Sequence, residues 1–349
     1  LQSRGLGDVY KRQSFFNTRM VFSFEYYYKT TKDMLLAAPM PIYMGYASNT
    51  YTNIGEANNR GIEMNLEWRD KTESGFEYNV GVNMSTIRNR MTKLNGGTPI
   101  SDGPFRNGSM YLTYTNEGMP IGAFWGYKTD GLIQTQEQLN AVKRADFQPN
   151  AELGDVLFVD TNGDGKLDSS DRCMIGNPIP DIIYGINMGM AWKGFDLNLQ
   201  FGGTIGNQIF NAMRYYTYFP NDITNKDRAL MNYWTPNNTN TDIPRLTATD
   251  VNDNDRFSDM YVENGTYFRL RNAQLGYTLP ASLTQRIKLQ KVRFYVSGQN
   301  LFTISSYSGM DPEVGQSSSL SRGIDYGIYP QNISFTGGIN AVSYTHLTL

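Results

Sequence analysis

Residues 184–202 alternate between large apolar and small or polar side chains, and this pattern constrains the fold more than any other feature of the chain. Lys193 and Gly194 interrupt it once, and two residues suffice for a tight β-hairpin turn. The pattern therefore predicts two antiparallel strands with one apolar and one polar face, as found in membrane-spanning barrels and in soluble sandwiches. The apolar face would carry Tyr184, Ile186, Met188, Met190, Trp192, Phe195, Leu197, Leu199 and Phe201.

The same alternation recurs in six further runs, and the connections between the eight runs alternate between long and short. Short turns at one end and long loops at the other are typical of outer-membrane barrels, whose short turns face the periplasm. Trp68, Phe76, Trp192 and Phe195 fall beside short turns, as expected for an aromatic girdle. The sequence thus favours an all-β fold of about eight antiparallel transmembrane strands with long extracellular loops and short periplasmic turns. The six runs are residues 19–29, 61–69, 76–85, 267–279, 291–299 and 331–340.

Composition excludes several classes of function. The 31 basic and 33 acidic residues nearly cancel, which gives no reason to expect nucleic-acid binding. Cys173 and His346 are the only residues of their types, so neither a cysteine-rich zinc site nor a His-based catalytic triad can form within the chain. We therefore expect no enzymatic activity. No run of 18 apolar residues predicts a transmembrane helix.

The two ends of the chain do not continue the strand pattern. Residues 1–13 and 341–349 resemble translated linker sequence from library construction, so they are excluded from the fold argument. Residues 14–340 are then expected to form the barrel portion.

An acidic loop between residues 160 and 171 matches the start of the calcium-loop pattern D-x-[DN]-x-[DN]-G. Its oxygen ligands suit Ca²⁺ better than a transition metal. The last position holds Asp171, where the pattern has a longer, bidentate Glu, so lower affinity is expected. A surface turn closed by Asp and Asn side chains needs the same residue types, and both interpretations stay open. The predicted ligands are Asp160, Asn162, Asp164, Lys166 through its carbonyl, Asp168 and Asp171.

Several short motifs are spread over nearly the whole chain. They are Asn53-Ile54-Gly55, Asn59-Arg60-Gly61-Ile62-Glu63, Gly154-Asp155, residues 158–172, Ile175-Gly176-Asn177-Pro178, Tyr184-Gly185, Phe268-Arg269-Leu270-Arg271-Asn272, Leu275-Gly276-Tyr277, Ser297-Gly298-Gln299-Asn300-Leu301 and Asp311-Pro312-Glu313. As a set these motifs resemble the SusC/RagA family of TonB-linked outer-membrane transporters, although each motif alone is weak.

The resemblance implies a 22-stranded barrel with an internal plug, of which this chain would be the C-terminal part. It also implies a location in the outer membrane of a Gram-negative, Bacteroidota-like bacterium, in contact with membrane lipid. The expected function is import of oligosaccharides or peptides, with capture by a SusD-like surface lipoprotein and energy from the TonB complex.

Aromatic residues in the long loops are candidates for contact with the substrate or with the lipoprotein lid, because aromatic rings stack on sugars. Packing of the loops themselves would use the same residues. The candidates are Tyr43, Tyr46, Tyr51, Trp125, Tyr127, Tyr215 and Tyr216.

Two alternatives to the barrel remain. A calcium-stabilised extracellular β-sandwich, acting as an adhesin or a carbohydrate-binding module, would also explain the alternating strands and the acidic loop. A secreted hydrolase is the other, but no separated acid and base pair stands out in the sequence.

Overall fold

One antiparallel sheet of 11 strands dominates the computed structural model, which describes residues 3–5, 9–38, 50–94, 99–105, 110–219, 225–315 and 318–343. Eight of its strands correspond to the eight predicted runs and cross the sheet in chain order. The all-β barrel architecture is therefore confirmed, and the sheet remains open at both edges. These wall strands are β1 (Met20–Ala38), β2 (Thr50–Lys71), β3 (Glu77–Thr86), β4 (Ile182–Trp192), β5 (Phe195–Ile205), β6 (Tyr267–Thr278), β7 (Leu289–Ser305) and β8 (Ser334–Ser343).

Short and long connections alternate between the wall strands. The shortest is Lys193–Gly194, where both residues have positive φ angles of 48° and 89°. Two such residues form the tight turn whose twist suits a β-hairpin. Three long connections are named here loop A (residues 87–181), loop B (residues 206–266) and loop C (residues 306–333).

The register of the strands gives the wall two chemically distinct faces. On the apolar face Met188 of β4 pairs with Leu199 of β5 and Val80 of β3. One residue along, on the polar face, Asn187 pairs with Gln200. Because side chains alternate along a strand, this registration keeps all apolar runs on one side of the sheet.

Two rows of aromatic rings lie across the apolar face. The row beside the short turns includes Trp192 and Phe195, which are 47% and 54% exposed. Tyr184 belongs to the other row and lies eight residues from Trp192, or roughly 20 Å across a tilted strand. Between the rows, the eight wall strands carry no charged side chain on this face, whereas Lys11 of the neighbouring strand Val9–Phe15 pairs with Phe24 on it. This spacing suits the apolar band of an outer-membrane barrel, about 25 Å tall. The rows comprise Trp68, Tyr78, Trp192, Phe195, Tyr277 and Phe294, and Tyr184, Phe201, Phe268 and Phe302.

The first two wall strands are longer than predicted. The sequence pattern treats residues 30–60 as a loop, but β1 continues to Ala38 and β2 begins at Thr50. Strand Arg88–Leu94 pairs with the same extension of β2. Residues 58–60 of β2 are all polar, so the apolar alternation of β2 ends before the strand itself does.

The remaining elements are short and lie mainly in the long loops. Val9–Phe15 pairs with β1, and β8 includes residues 341–343. The linker origin of residues 1–13 and 341–349 stays a prediction. No helix in the described ranges is long and apolar enough to span a membrane. The other elements are strands Ser3–Gly5, Ile100–Phe105, Met110–Thr115, Ala123–Gly126, Thr129–Leu132, Val156–Phe158, Cys173–Gly176, Gln208–Asn211, Val262–Asn264 and Ile324–Asp325; α-helices Gln136–Arg144, Ala212–Tyr218 and Ala281–Thr284; and 3₁₀ turns Ser169–Asp171, Arg228–Asn232, Asp259–Tyr261 and Gln285–Ile287.

Loops A, B and C share one buried core. Phe105 of loop A packs at 5.0 Å edge-to-face on Tyr215 and at 5.1 Å on Phe257, both of loop B. Ile324 of loop C is fully buried in the same cluster. The long loops therefore pack together instead of projecting independently.

Candidate functional site

The polar face of the wall is lined by amide and hydroxyl side chains. Asn198 lies between Gly189 and Gln274 on the neighbouring strands, and Gln200 faces Asn272. Such side chains hydrogen-bond to water or to a polar solute without imposing a charge. The face carries the amides Asn79, Asn83, Asn198, Gln200 and Gln299, together with the charged residues Glu63, Glu67 and Arg293.

A bidentate ion pair joins two strands that are not neighbours in the wall. Arg293 of β7 donates from Nε and Nη2 to the two carboxylate oxygens of Asp196 of β5, at 2.9 and 2.5 Å. Gly276 of the intervening strand β6 leaves room for the Arg293 side chain to cross it, since a Cβ on Gly276 would lie 2.4 Å from the guanidinium. Planar pairing of this kind fixes geometry as well as charge.

The polar face is concave near the short turns, where it borders a space of about 850 Å³. The lining side chains combine hydrogen-bonding groups with charges of both signs. Val21, Val80 and Ala191 line the same space, so polar and apolar groups both border it. Its lining includes Asn65, Glu67, Arg69, Asn79, Asn187, Asp196 and Asn198.

Tyrosine rings cover glycines on the neighbouring strand at two places in the wall. Tyr184 pairs with Gly203, and its hydroxyl donates to the carbonyl oxygen of Tyr267 at 3.1 Å. Tyr27 pairs with Gly61 in the same manner. An aromatic ring that covers a glycine buries the exposed backbone and helps fix the strand register.

The acidic loop of residues 160–171 is closed by its own hydrogen bonds. Asp160 accepts backbone N–H bonds from Gly163 and Gly165 at 2.7 and 2.9 Å. These bonds, that from Gly165 most strongly, hold the pKa of the Asp160 carboxyl below its ordinary value. Asn162 and Asp164 each accept a backbone N–H from the residue two positions later. The side chains therefore form the Asx turns that this composition favours.

Asp171 is the structural centre of that loop. Its side chain is fully buried and accepts the backbone N–H groups of Thr161 and Asp168, both at 3.0 Å. Within the described ranges no group of three or more His, Cys, Asp or Glu is arranged to hold a metal ion. Calcium binding by Asp160, Asn162, Asp164, Lys166, Asp168 and Asp171 stays a prediction.

Replacing Asp171 with alanine is expected to open the acidic loop, because two buried N–H donors lose their acceptor at a cost of about 1–3 kcal/mol each. The rate of tryptic cleavage after the exposed Lys166 should rise about tenfold or more. Asp164→Ala, which removes an exposed acceptor, serves as the control and should change the rate far less. Slower cleavage of the wild type in Ca²⁺ than in EDTA would support the calcium prediction, and equal rates would contradict it.

The candidate aromatic residues mostly pack against one another. Trp125 stacks on Tyr114 with ring centroids 4.4 Å apart, and the Tyr127 ring meets Phe158 edge-to-face at 5.9 Å. Tyr216 packs on Phe105 at 5.1 Å. For Trp125, Tyr127 and Tyr216, substrate or lid contact stays a prediction.

Of the four other candidate aromatic residues, only Tyr215 has a described side chain. Tyr215 is only 4% exposed, and its hydroxyl donates to Asp255 at 2.8 Å. Its ring therefore packs the loop interior and presents no face to a substrate. Tyr43 and Tyr46 lie outside the described residues, and Tyr51 is described only as backbone within β2.

A buried polar network joins loop A to loop B. Asp155 is fully buried and accepts hydrogen bonds from Arg245 Nε at 2.6 Å, Asn254 Nδ2 at 3.0 Å and the Glu152 backbone N–H at 2.8 Å. Sequence reasoning missed this network. The Gly154-Asp155 motif was its only signal, since the partners lie about 90 residues further along the chain.

Comparison with known proteins identifies relatives of the same architecture. Residues 9–170 match the family model described as TonB dependent receptor-like, beta-barrel. TonB-dependent receptor P3 of Formosa agariphila is 37% identical over 93% of this chain and 32% of its own length. TonB-dependent receptor SusC of Bacteroides thetaiotaomicron is 26% identical over 93% of this chain and 30% of its own length.

A solved structure shows the same fold. The RagAB peptide transporter superposes with a TM-score of 0.73 at 26% identity, over 93% of this chain and 33% of that chain. The chain thus spans about a third of the length of the relatives it matches.

Proposed function

Because this chain belongs to the TonB-dependent receptor family, we propose that it is the C-terminal part of an outer-membrane barrel that imports oligosaccharides or peptides. The two-faced wall carries this proposal. An apolar band between two aromatic rows faces lipid, and the opposite face is polar enough for a water-filled lumen. Energy would come from the TonB complex, through a part of the protein outside this chain.

A SusD-like surface lipoprotein is the proposed partner at the long-loop end. The long connections emerge at one end of the wall and pack into a single body. Such a body offers a broad surface to a lid, whereas independent mobile loops would have to be ordered on binding. The solved relative is itself named as a complex, RagAB.

The polar face suits oligosaccharides and peptides, because amide and hydroxyl groups dominate it and its central ion pair is satisfied internally. No catalytic reaction is proposed. The sandwich alternative lacks support, since no second sheet covers the apolar face in the described part of the chain.

The test is uptake by cells of the source bacterium in which the gene containing this chain is deleted. We expect the deletion to abolish uptake of one class among fluorescent neutral oligosaccharides, sulfated oligosaccharides and peptides, and the intact gene to restore it. Restored uptake should disappear when TonB is removed. Unchanged uptake of every probe after the deletion, or restored uptake that persists without TonB, would contradict the proposal.

A further inference from the structure

Loop C contacts both of the other long loops. Its strand Ile324–Asp325 runs parallel to Phe210 and Asn211 of loop B, and the Phe210 N–H donates to the Gly323 carbonyl at 2.8 Å. On the other side, Thr113 Oγ1 of loop A donates to the Leu320 carbonyl at 2.7 Å. Any displacement of loop C must therefore break contacts with loops A and B.

Loop C is tied to the wall by a cluster of four charged residues, named here the latch: Arg269, Arg271, Asp311 and Glu313. Arg269 Nη2 donates to Asp311 Oδ1 at 2.5 Å, and Nη1 donates to Glu313 Oε2 at 2.8 Å. Arg271 Nη2 donates to the other oxygen of Glu313 at 3.2 Å. The motifs of residues 268–272 and 311–313 thus meet in the latch, where Arg269 and Asp311 are 42 residues apart in the chain.

Arg269 belongs to the polar face of the wall. It pairs with Gly202 of β5 and with Thr303 of β7, whose hydroxyl accepts from Arg269 Nε at 2.8 Å. Below it, a β-bulge between Leu270 and Asn272 shifts the strand by one residue. The bulge keeps polar side chains on the same face above and below it. The latch therefore draws loop C toward the lumen side of the wall.

The central pair of the latch is buried and hydrogen-bonded on all sides. Arg269 is 2% exposed and Asp311 is 7% exposed. Asp311 also accepts the backbone N–H groups of Glu313 at 2.8 Å and Gln331 at 3.0 Å. Burial alone would raise the pKa of Asp311, but those N–H groups and Arg269 outweigh it and hold the pKa below its ordinary value. Removing either partner would leave an uncompensated buried charge.

We propose that Arg269 is a positioning residue for import, which holds loop C, and through it loops A and B, in one fixed arrangement at the mouth of the lumen. The transport part of this proposal rests on the proposed function. Its structural part is independent of transport, because the latch either holds loop C or does not.

The experiment uses the full-length protein in intact cells. Ser321→Cys places a thiol in loop C where the native side chain is 9% exposed, in a background otherwise free of cysteine that includes Cys173→Ser. Maleimide labelling of this thiol then reports opening of loop C. Heat-modifiable migration in gels shows that the barrel has assembled.

Arg269→Met is expected to raise the labelling rate at least tenfold and to lower uptake of the transported probe at least tenfold, with the barrel assembled. The matched control is Arg88→Met, which breaks an exposed Arg–Asp pair with Asp181 and should change both readouts less than twofold. If Arg269→Met does not assemble, Asp311→Asn removes the charge at nearly constant volume and carries the same expectation.

Unchanged labelling in an assembled latch variant would overturn the proposal. Raised labelling with unchanged uptake would overturn its transport part. If the wild type transports no probe, the proposed function fails, and the labelling rate still decides whether Arg269 holds loop C.

Discussion

Replacing Gly203 with alanine is expected to lower the stability of the full-length barrel by about 3 kcal/mol. A Cβ at this position would lie 2.0 Å from the carbonyl oxygen of Tyr267 and 2.6 Å from the hydroxyl of Tyr184. The first of these atoms is backbone, so a side-chain rotation cannot relieve the contact. The Tyr184 ring would lift from the neighbouring strand and lose its hydrogen bond to Tyr267. The measurement is the midpoint temperature of heat-modifiable migration.

Gly81→Ala is the matched control for that measurement. Gly81 lies in the middle of β3, and the atoms nearest to an added Cβ are Glu67 Cγ at 3.9 Å and Asn187 Cβ at 4.0 Å, which are ordinary contacts. We expect a change of less than about 1 kcal/mol in either direction. Equal losses in the two variants would show that any added Cβ on the wall lowers stability, and that the contacts of Gly203 with Tyr184 and Tyr267 do not determine the cost.

Replacing Asp155 with alanine should have the largest effect within the long loops, about 3 kcal/mol of local stability. The change removes a fully buried carboxylate and leaves the Asn254 amide and the Glu152 N–H without their acceptor. Arg245 keeps partial access to water, with 20% of its side chain exposed, so the cost falls at the lower end of the range for broken buried pairs. Hydrogen exchange of loops A and B would accelerate by about 100-fold, while exchange in the wall strands would not change.

Asp242→Ala provides the comparison for Asp155. Asp242 also pairs with an arginine, Arg214, but its side chain is 75% exposed. We expect Asp242→Ala to lower local stability by less than about 1 kcal/mol and to leave hydrogen exchange in loops A and B unchanged. Similar acceleration in both variants would mean that the loss of any ion pair loosens the loops, and that burial of Asp155 is not the determining factor.

The wall was predictable because lipid and water impose a period of two on every strand that separates them. All eight strands and the alternation of their connections follow from that period. The pattern failed at the extension of β1 and β2 beyond residues 29 and 61, where one face packs on loop A. Ala57 of β2 is buried there in a cluster with Met91 and Leu94 of loop A, and a local apolar alternation does not predict contacts with a distant loop. Pairing there is held by backbone hydrogen bonds, which any residue except proline can make.

The loops were predictable only as motifs. Local hydrogen bonds explain the Asx turns of the acidic loop, since donor and acceptor lie within five residues of each other. The network around Asp155 and the latch at Arg269 join residues 90 and 42 positions apart. Composition and spacing carry no information on which distant residues meet, so both sites emerged only from the fold.

The bonding of loop C to loops A and B bears on which loops can be exchanged between related barrels. A barrel whose loops stand alone can acquire a new loop by recombination without harm to the others. Here a foreign loop A or loop B would meet an unmatched strand at Ile324–Asp325 and an unmatched carbonyl at Leu320. Functional chimaeras should therefore be those that transplant loops A, B and C together, and single-loop grafts should be rare among natural recombinants.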